Sequence, residues 1–253
     1  MKTQDIVVIG ICSALYAVVG ILTANVSFLN IGFLPAVVIP AVFAVLYGPW
    51  VGGLSGAIGI FIRDMVVHGV APLSLIAGVP PNFILFFMIG YITYRQISLK
   101  QVIAGITIAA VGLLVPTIVF LPDIVAYTGL STEVFVITYV LTVVLSLAAI
   151  AFVAIRWSEW RSYAIGAVIG QVLGGGLLSI TVWLISPYFL DFFGVPIAAS
   201  LVFPIFVWLI ATEIPFILLV GPPIIKACYR AFPTLQERRW RQKKGGSLDF
   251  QRK

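Results

Sequence analysis

The chain has 253 residues, of which 61% are hydrophobic and 9% charged, with a mean hydropathy of +1.15. A water-soluble domain carries nearer a quarter charged residues, so that class is excluded. The formal net charge of +6 suggests nucleic acid, but eight of the fifteen basic residues fall in 230–253, where a basic tail beside anionic lipid accounts for them.

No Asp, Glu, Lys or Arg occurs from 6 to 62, and further uncharged runs fill 65–94, 101–122, 134–155, 162–190 and 192–212. At roughly 20 residues per crossing these runs hold about eight helices. They are apolar on consecutive positions, whereas a transmembrane barrel alternates, so the expected fold is an all-α integral membrane helix bundle. The bundle is expected over residues 1–227, with a basic cytoplasmic tail over 228–253. A single lysine before the first apolar run, with no small-residue cleavage site, predicts a retained helix. Cys12 and Cys228 stand far apart without metal or redox spacing and are read as packing residues.

In chain order, the first helix is expected at 6–22, followed by a polar turn with Asn25, Ser27 and Asn30. A short second helix, 33–47, is interrupted by Pro35 and Pro40. Gly48, Pro49 and Trp50 then reverse the chain into a third helix, 51–67. The fourth, 73–94, carries Pro80 and Pro81, whose lost backbone bonds need other partners. The remaining four are expected at 101–120, 134–155, 163–186 and 196–227. With both termini cytoplasmic, 14 of the 15 basic residues face inward and only Arg63 lies outward.

Small residues mark close helix contacts. Gly10, Ser13, Ala14, Ala17 and Gly20 form one stripe on the first helix. The third has Gly52, Gly53, Gly56, Ala57 and Gly59, and the seventh a tandem GxxxG at Gly166, Gly170 and Gly174.

Leu34-Pro35 to Pro40, then Leu46 through Gly53 with its Gly-Pro-Trp turn, then Gly56 to Gly59 and Asp64, resemble the substrate-binding (S) components of energy-coupling factor vitamin transporters. The resemblance covers approximately 6–94, with weaker similarity at 213–232. The stripe Gly10, Ser13, Ala14, Ala17 is similar to the face by which that family's first helix docks on a transmembrane coupling subunit. The family core has six helices, against about eight counted here. The resemblance implies a capture subunit in a prokaryotic cell membrane, taking up a vitamin or related small molecule in a pocket built from helix ends and the loops after helices one, three and five. It further implies no covalently bound cofactor, no catalysis by this chain, and ATP used only by two partner ATPase subunits, in keeping with a sequence that has no Walker A pattern.

Intramembrane polar residues each require a reason. Asp64 and His68, at i and i+4, share a helix face, with Arg63 about 100° round the helix; either Asp64 or His68 hydrogen-bonds a ligand, or the group snorkels to the interface and forms a local ion pair. Asn82 either caps the backbone freed by the prolines or contacts ligand. Asn30 in the first outer loop and Tyr127 in the third complete the candidate substrate set of Asn30, Asp64, His68, Asn82 and Tyr127. Gln171 and Glu213 are expected to form an interhelical hydrogen bond.

Rival functions fare worse. Gly53-Leu54-Ser55-Gly56 spells GxSG, but His68 lies thirteen residues on, about 20 Å along the same helix, too far to share a proton. One histidine and two distant cysteines do not make a metal-uptake site. The remaining alternative is a self-sufficient secondary transporter with broken helices near the midplane.

Overall fold

The computed structural model describes residues 3–95, 97–128 and 131–235. Helix α1 is Thr3–Leu22, and a two-stranded hairpin follows, β1 Ser27–Phe28 and β2 Ile31–Gly32, paired Ser27 to Gly32 and Phe28 to Ile31. Leu29 and Asn30 at its tip have φ of 51° and 62°, the two successive positive values of a tight hairpin turn. A 3-10 turn, Pro35–Val37, leads into α2, Val38–Tyr47. Pro35 sits in the first turn, where no backbone donor is lost, so it starts a helix that the sequence reading had it interrupt. Gly48, at φ 106°, then hands the chain to α3, Pro49–Val67.

The expected fourth helix is one span with a defect near its start. α4, Ala71–Leu73, passes through a π turn, Ser74–Gly78, into α5, Val79–Thr93. Pro80 and Pro81 lie at the beginning of α5, so the wider turn absorbs the bonds they cannot make. α6 is Leu99–Val119, α7 Leu121–Thr128 and α8 Thr132–Ala151. α9, Arg161–Ile185, is followed by the short α10, Leu190–Phe193, and by α11, Val202–Ala231. α11 runs past the boundary expected at 227. Of the basic tail, 236–253 lies outside the described residues.

Among the described residues six helices are long and apolar enough to cross a membrane: Thr3–Leu22, Pro49–Val67, Ala71–Thr93, Thr132–Arg156, Ser158–Tyr188 and Ala199–Ala231. α2 is not one of them. Its 10 residues rise about 15 Å, half of a hydrocarbon core of about 30 Å. It is instead the hub of the bundle, packed against α1, α3, α5 and α11, with Ala41, Ala44 and Val45 fully buried.

Around α2 the long helices follow a chain of close contacts in which α1 packs on α3, α3 on α5, α5 on α9, and α9 on α11. Glycine sets these distances. A Cβ on Gly59 would stand 2.7 Å from Tyr16 and 2.9 Å from the Ser13 carbonyl; one on Gly170 would stand 2.6 Å from the Leu85 carbonyl, and one on Gly174 2.5 Å from that of Pro81. Tandem GxxxG on α9 is thus an intramolecular seam with α5. Two halves of the α1 stripe diverge: Ser13 and Ala17 are buried, Ser13 Oγ donating to the Ser55 carbonyl at 3.2 Å, while Gly10 and Ala14 stay exposed. Of the four, Gly10 and Ala14 face outward and Ser13 and Ala17 face α3.

Gly170→Ala should therefore lower the stability of detergent-purified protein by about 1–3 kcal/mol, the usual range for overpacking. Gly10→Ala, with open space around it, should instead raise stability slightly, by about 0.5–1 kcal/mol, because alanine is the better residue inside a helix; thermal unfolding of the two variants side by side checks both.

Candidate substrate site

Because α2 starts part-way down the bundle, its axis is left unfilled at one end, where α1, α3 and α9 finish and α5 and α11 begin. A cavity of about 90 Å³ occupies that space, lined from β2, α3, the π turn, α5, α9, α10 and α11. Its walls are mainly apolar, with Leu34, Ile60, Leu73, Leu178 and Leu209 among them, and its polar groups are Asn30, Arg63, Asp64, His68, Ser74, Asn82 and Glu213.

The charges converge on Asp64. Arg63 Nη1 donates to Asp64 Oδ1 at 2.9 Å, and Ser74 Oγ donates to Asp64 Oδ2 at 2.7 Å, so both carboxylate oxygens are engaged. Arg63 is 5% exposed and Asp64 9%. Snorkelling to the interface is therefore not what Arg63 does: its side chain turns inward, and its 100° offset from Asp64 is bridged by the length of the arm. Arg63 Nη1 also stands 3.3 Å from His68 Nε2, and the His68 ring meets Phe192 edge to face at 5.1 Å. His68 caps α3 just beyond its last turn. Burial, with the Arg63 guanidinium adding to it and Asp64 opposing, holds the imidazole below its ordinary value of 6.5.

Asn82 hydrogen-bonds within the protein and borders the cavity. Its Nδ2 donates to the Gly78 carbonyl at 2.9 Å, satisfying backbone in the π turn, and its Oδ1 accepts from Tyr16 Oη at 2.8 Å, while the residue also lines the cavity. An amide can do both at once, since it carries a donor for the carbonyl and an acceptor for the tyrosine. Gln171 and Glu213 are both buried and border a small recess continuous in its lining with Asn82, Leu178 and Leu209. Glu213 belongs to the cavity wall as well, a position its sequence context of Thr212 and Pro215 does not reveal.

The hairpin roofs the cavity and is fastened from the opposite side of the bundle. Asn30 Nδ2 donates to the Phe192 carbonyl at 2.8 Å, and Trp208 Nε1 donates to the Ile31 carbonyl at 3.0 Å. Phe28 packs on Trp208 with ring centres 5.9 Å apart. Four of the five expected substrate residues, Asn30, Asp64, His68 and Asn82, thus meet at one cavity. The fifth, Tyr127, belongs to α7, which contacts α6, α8 and the turn Ala199–Leu201; its side chain lies outside the described residues. The sequence reading missed Trp208, Phe192 and the inward turn of Arg63. A tryptophan within two helical turns of Glu213 was the available signal for the first; nothing marked the second.

These features define a multi-pass membrane helix bundle with a roofed, polar-rimmed pocket near one end, the arrangement of a protein that holds a small solute. Residues 4–131 match the family of the ECF transporter, substrate-specific component. The chain belongs to that family, a transporter component rather than a class of enzyme. It is similar to a UPF0397 protein of Aliivibrio salmonicida, 32% identical over 143 residues, which span 53% of this chain and 78% of that protein. It is also similar to a UPF0397 protein of Aliivibrio fischeri, 39% identical over 66 residues, covering 26% of this chain and 36% of that one. No solved structure matches the chain.

Because the folded state favours neutral His68, its contribution to stability is present above pH 6.5 and is lost as the pH falls below that value toward the depressed folded one. Acidification should lower the unfolding temperature of the native protein more than that of His68→Gln, measured from pH 8 down to about 5. Tyr16→Phe should cost about 1–3 kcal/mol, the penalty for stranding the buried Asn82 acceptor.

Proposed function

We propose that this chain is the substrate-capture subunit of an ATP-driven importer of a vitamin or related small organic micronutrient, working with a transmembrane coupling subunit and two ATPase subunits. The observation that carries the reading is the cavity roofed by a hairpin that only a few side-chain bonds fasten. At about 90 Å³ it has room for about three waters, whereas organic ligands occupy pockets of about 300 Å³ or more. Capture therefore involves lifting the roof. Asn30 to Phe192 and Trp208 to Ile31 are the bonds to be exchanged, and both ends are within reach of an entering solute.

Charge supports an outward-facing cavity. Arg95, Lys100, Arg156, Arg161, Lys226 and Arg230 all stand at the end of the bundle away from it, by their places at the ends of α5, α8 and α11 and the starts of α6 and α9. By the positive-inside rule that end is cytoplasmic, which puts both termini there and α6 across the membrane as a further span. The exposed part of the α1 stripe, Gly10 and Ala14 four residues apart on one face, is the docking surface for the coupling subunit, since small side chains permit a close helix approach. ATP is spent by the partners alone, and Asn30, Asp64, His68 and Asn82 contact substrate.

In vesicles containing only this chain, substrate should bind without accumulating, and accumulation should appear when the coupling and ATPase subunits are added with ATP. Uptake by the lone chain against a gradient would establish the secondary-transporter alternative and end this reading. Ala14→Trp should abolish copurification of the coupling subunit while leaving substrate affinity intact. Trp208→Phe and Asn30→Ala should each speed substrate release by about two- to tenfold, the worth of one net hydrogen bond, as read from the dissociation rate.

A further inference from the structure

Arg63 has more hydrogen-bonding capacity than the protein uses. Nη1 serves Asp64, but Nε and Nη2 are buried and have no hydrogen-bond partner among the described residues. Both oxygens of Asp64 are already taken, by Nη1 and by Ser74 Oγ, so that carboxylate cannot close the second edge of the guanidinium. A charged donor pair in an apolar interior is costly to leave unmatched, more so than a neutral one. The edge also lies beneath the roof: Nη2 sits against Gly32, in the space a side chain there would need. Lifting the hairpin uncovers it.

We infer that the Nε–Nη2 edge of Arg63 anchors a substrate carboxylate, so that the cavity takes a small organic acid with one carboxylate on a largely apolar body. This rests on the capture function proposed above. Two parallel N–H groups on a rigid planar fork match the two oxygens of a carboxylate, whereas an amide or alcohol can satisfy only one of them as acceptor. The rest of the wall fits an apolar body, with Leu34, Ile60, Leu73, Ala77, Leu178 and Leu209 facing the space. Charge favours a monoanion over a phosphate ester. The cavity already contains the Asp64 and Glu213 carboxyl groups with one guanidinium among them, and a dianion would add two negative charges where one cationic edge remains. Gly32 is part of the same device, because a methyl group at that position would occupy the place of Nη2.

Two measurements on the full-length, detergent-purified protein test this. In the first, small molecules released by heating protein from its native membrane are identified by mass spectrometry; an organic acid is expected, and its absence from Arg63→Lys protein prepared in parallel. In the second, hexanoate and hexanamide, equal in size and differing in the fork-matching group, are compared for thermal stabilisation. Hexanoate should raise the unfolding temperature more than hexanamide, and Arg63→Lys, which keeps the charge and a bond to Asp64 but not the fork, should bind hexanoate about tenfold more weakly. If Arg63→Lys does not fold, Gly32→Ala, which crowds Nη2 without removing any charge, should show the same weakening. Equal effects of acid and amide, including none from either, overturn the inference, as does full selectivity in the variant that folds. A neutral or phosphorylated molecule in the extract refutes the carboxylate and leaves the capture function standing; an extract without any bound molecule counts against both.

Discussion

Two contacts on one carboxylate organise this molecule. Asp64 takes a charge-assisted hydrogen bond from Arg63 and a second from Ser74, which ties the end of α3 to the π turn that opens the α5 span. Remove Asp64 and a buried guanidinium loses its counter-charge, a loss that typically costs about 3–5 kcal/mol. The same tie places Gly78 close against the carboxylate, where a Cβ would stand 2.8 Å from Asp64 Oδ2. It also sets Asn82 one turn further on, where it reaches both the turn and Tyr16. Two hydrogen-bonded groups thus meet at the π turn, Arg63–Asp64–Ser74 from α3 and Tyr16–Asn82–Gly78 from α1 and α5.

Much of this was legible because lipid simplifies the code. Uncharged runs locate helices when no other backbone arrangement satisfies its hydrogen bonds in hydrocarbon, and the Gly-Pro-Trp reversal between α2 and α3 follows from a positive φ that only Gly48 supplies cheaply. The polar residues that the runs isolate are few, and four of the five singled out meet at the cavity because burial of a polar group in a bundle demands a shared polar space.

What escaped the sequence depends on direction rather than position. Arg63 could point out to the interface or in to Asp64, and only the placement of α11 and the hairpin decides; its residue number is the same in both cases. The α1 stripe divides at Ser13 and Ala17 because α3 covers part of an arc whose width spacing alone does not give. Pro35 and Pro40 suggested a broken helix, yet Pro35 starts a turn and α2 runs unbroken through Pro40.

The shortness of α2 has a consequence for how anything could pass. Above its start the bundle axis is hollow; below it, Ala41, Ala44 and Val45 close the middle without residual exposure, and α3 and α5 are pressed together by Gly53 and Gly56 against Phe83 and Phe86. Among the described residues the pocket is closed on that side. Under the capture function proposed above, a solute held there reaches the far side of the membrane by the movement of whole bodies and not by the opening of a pore.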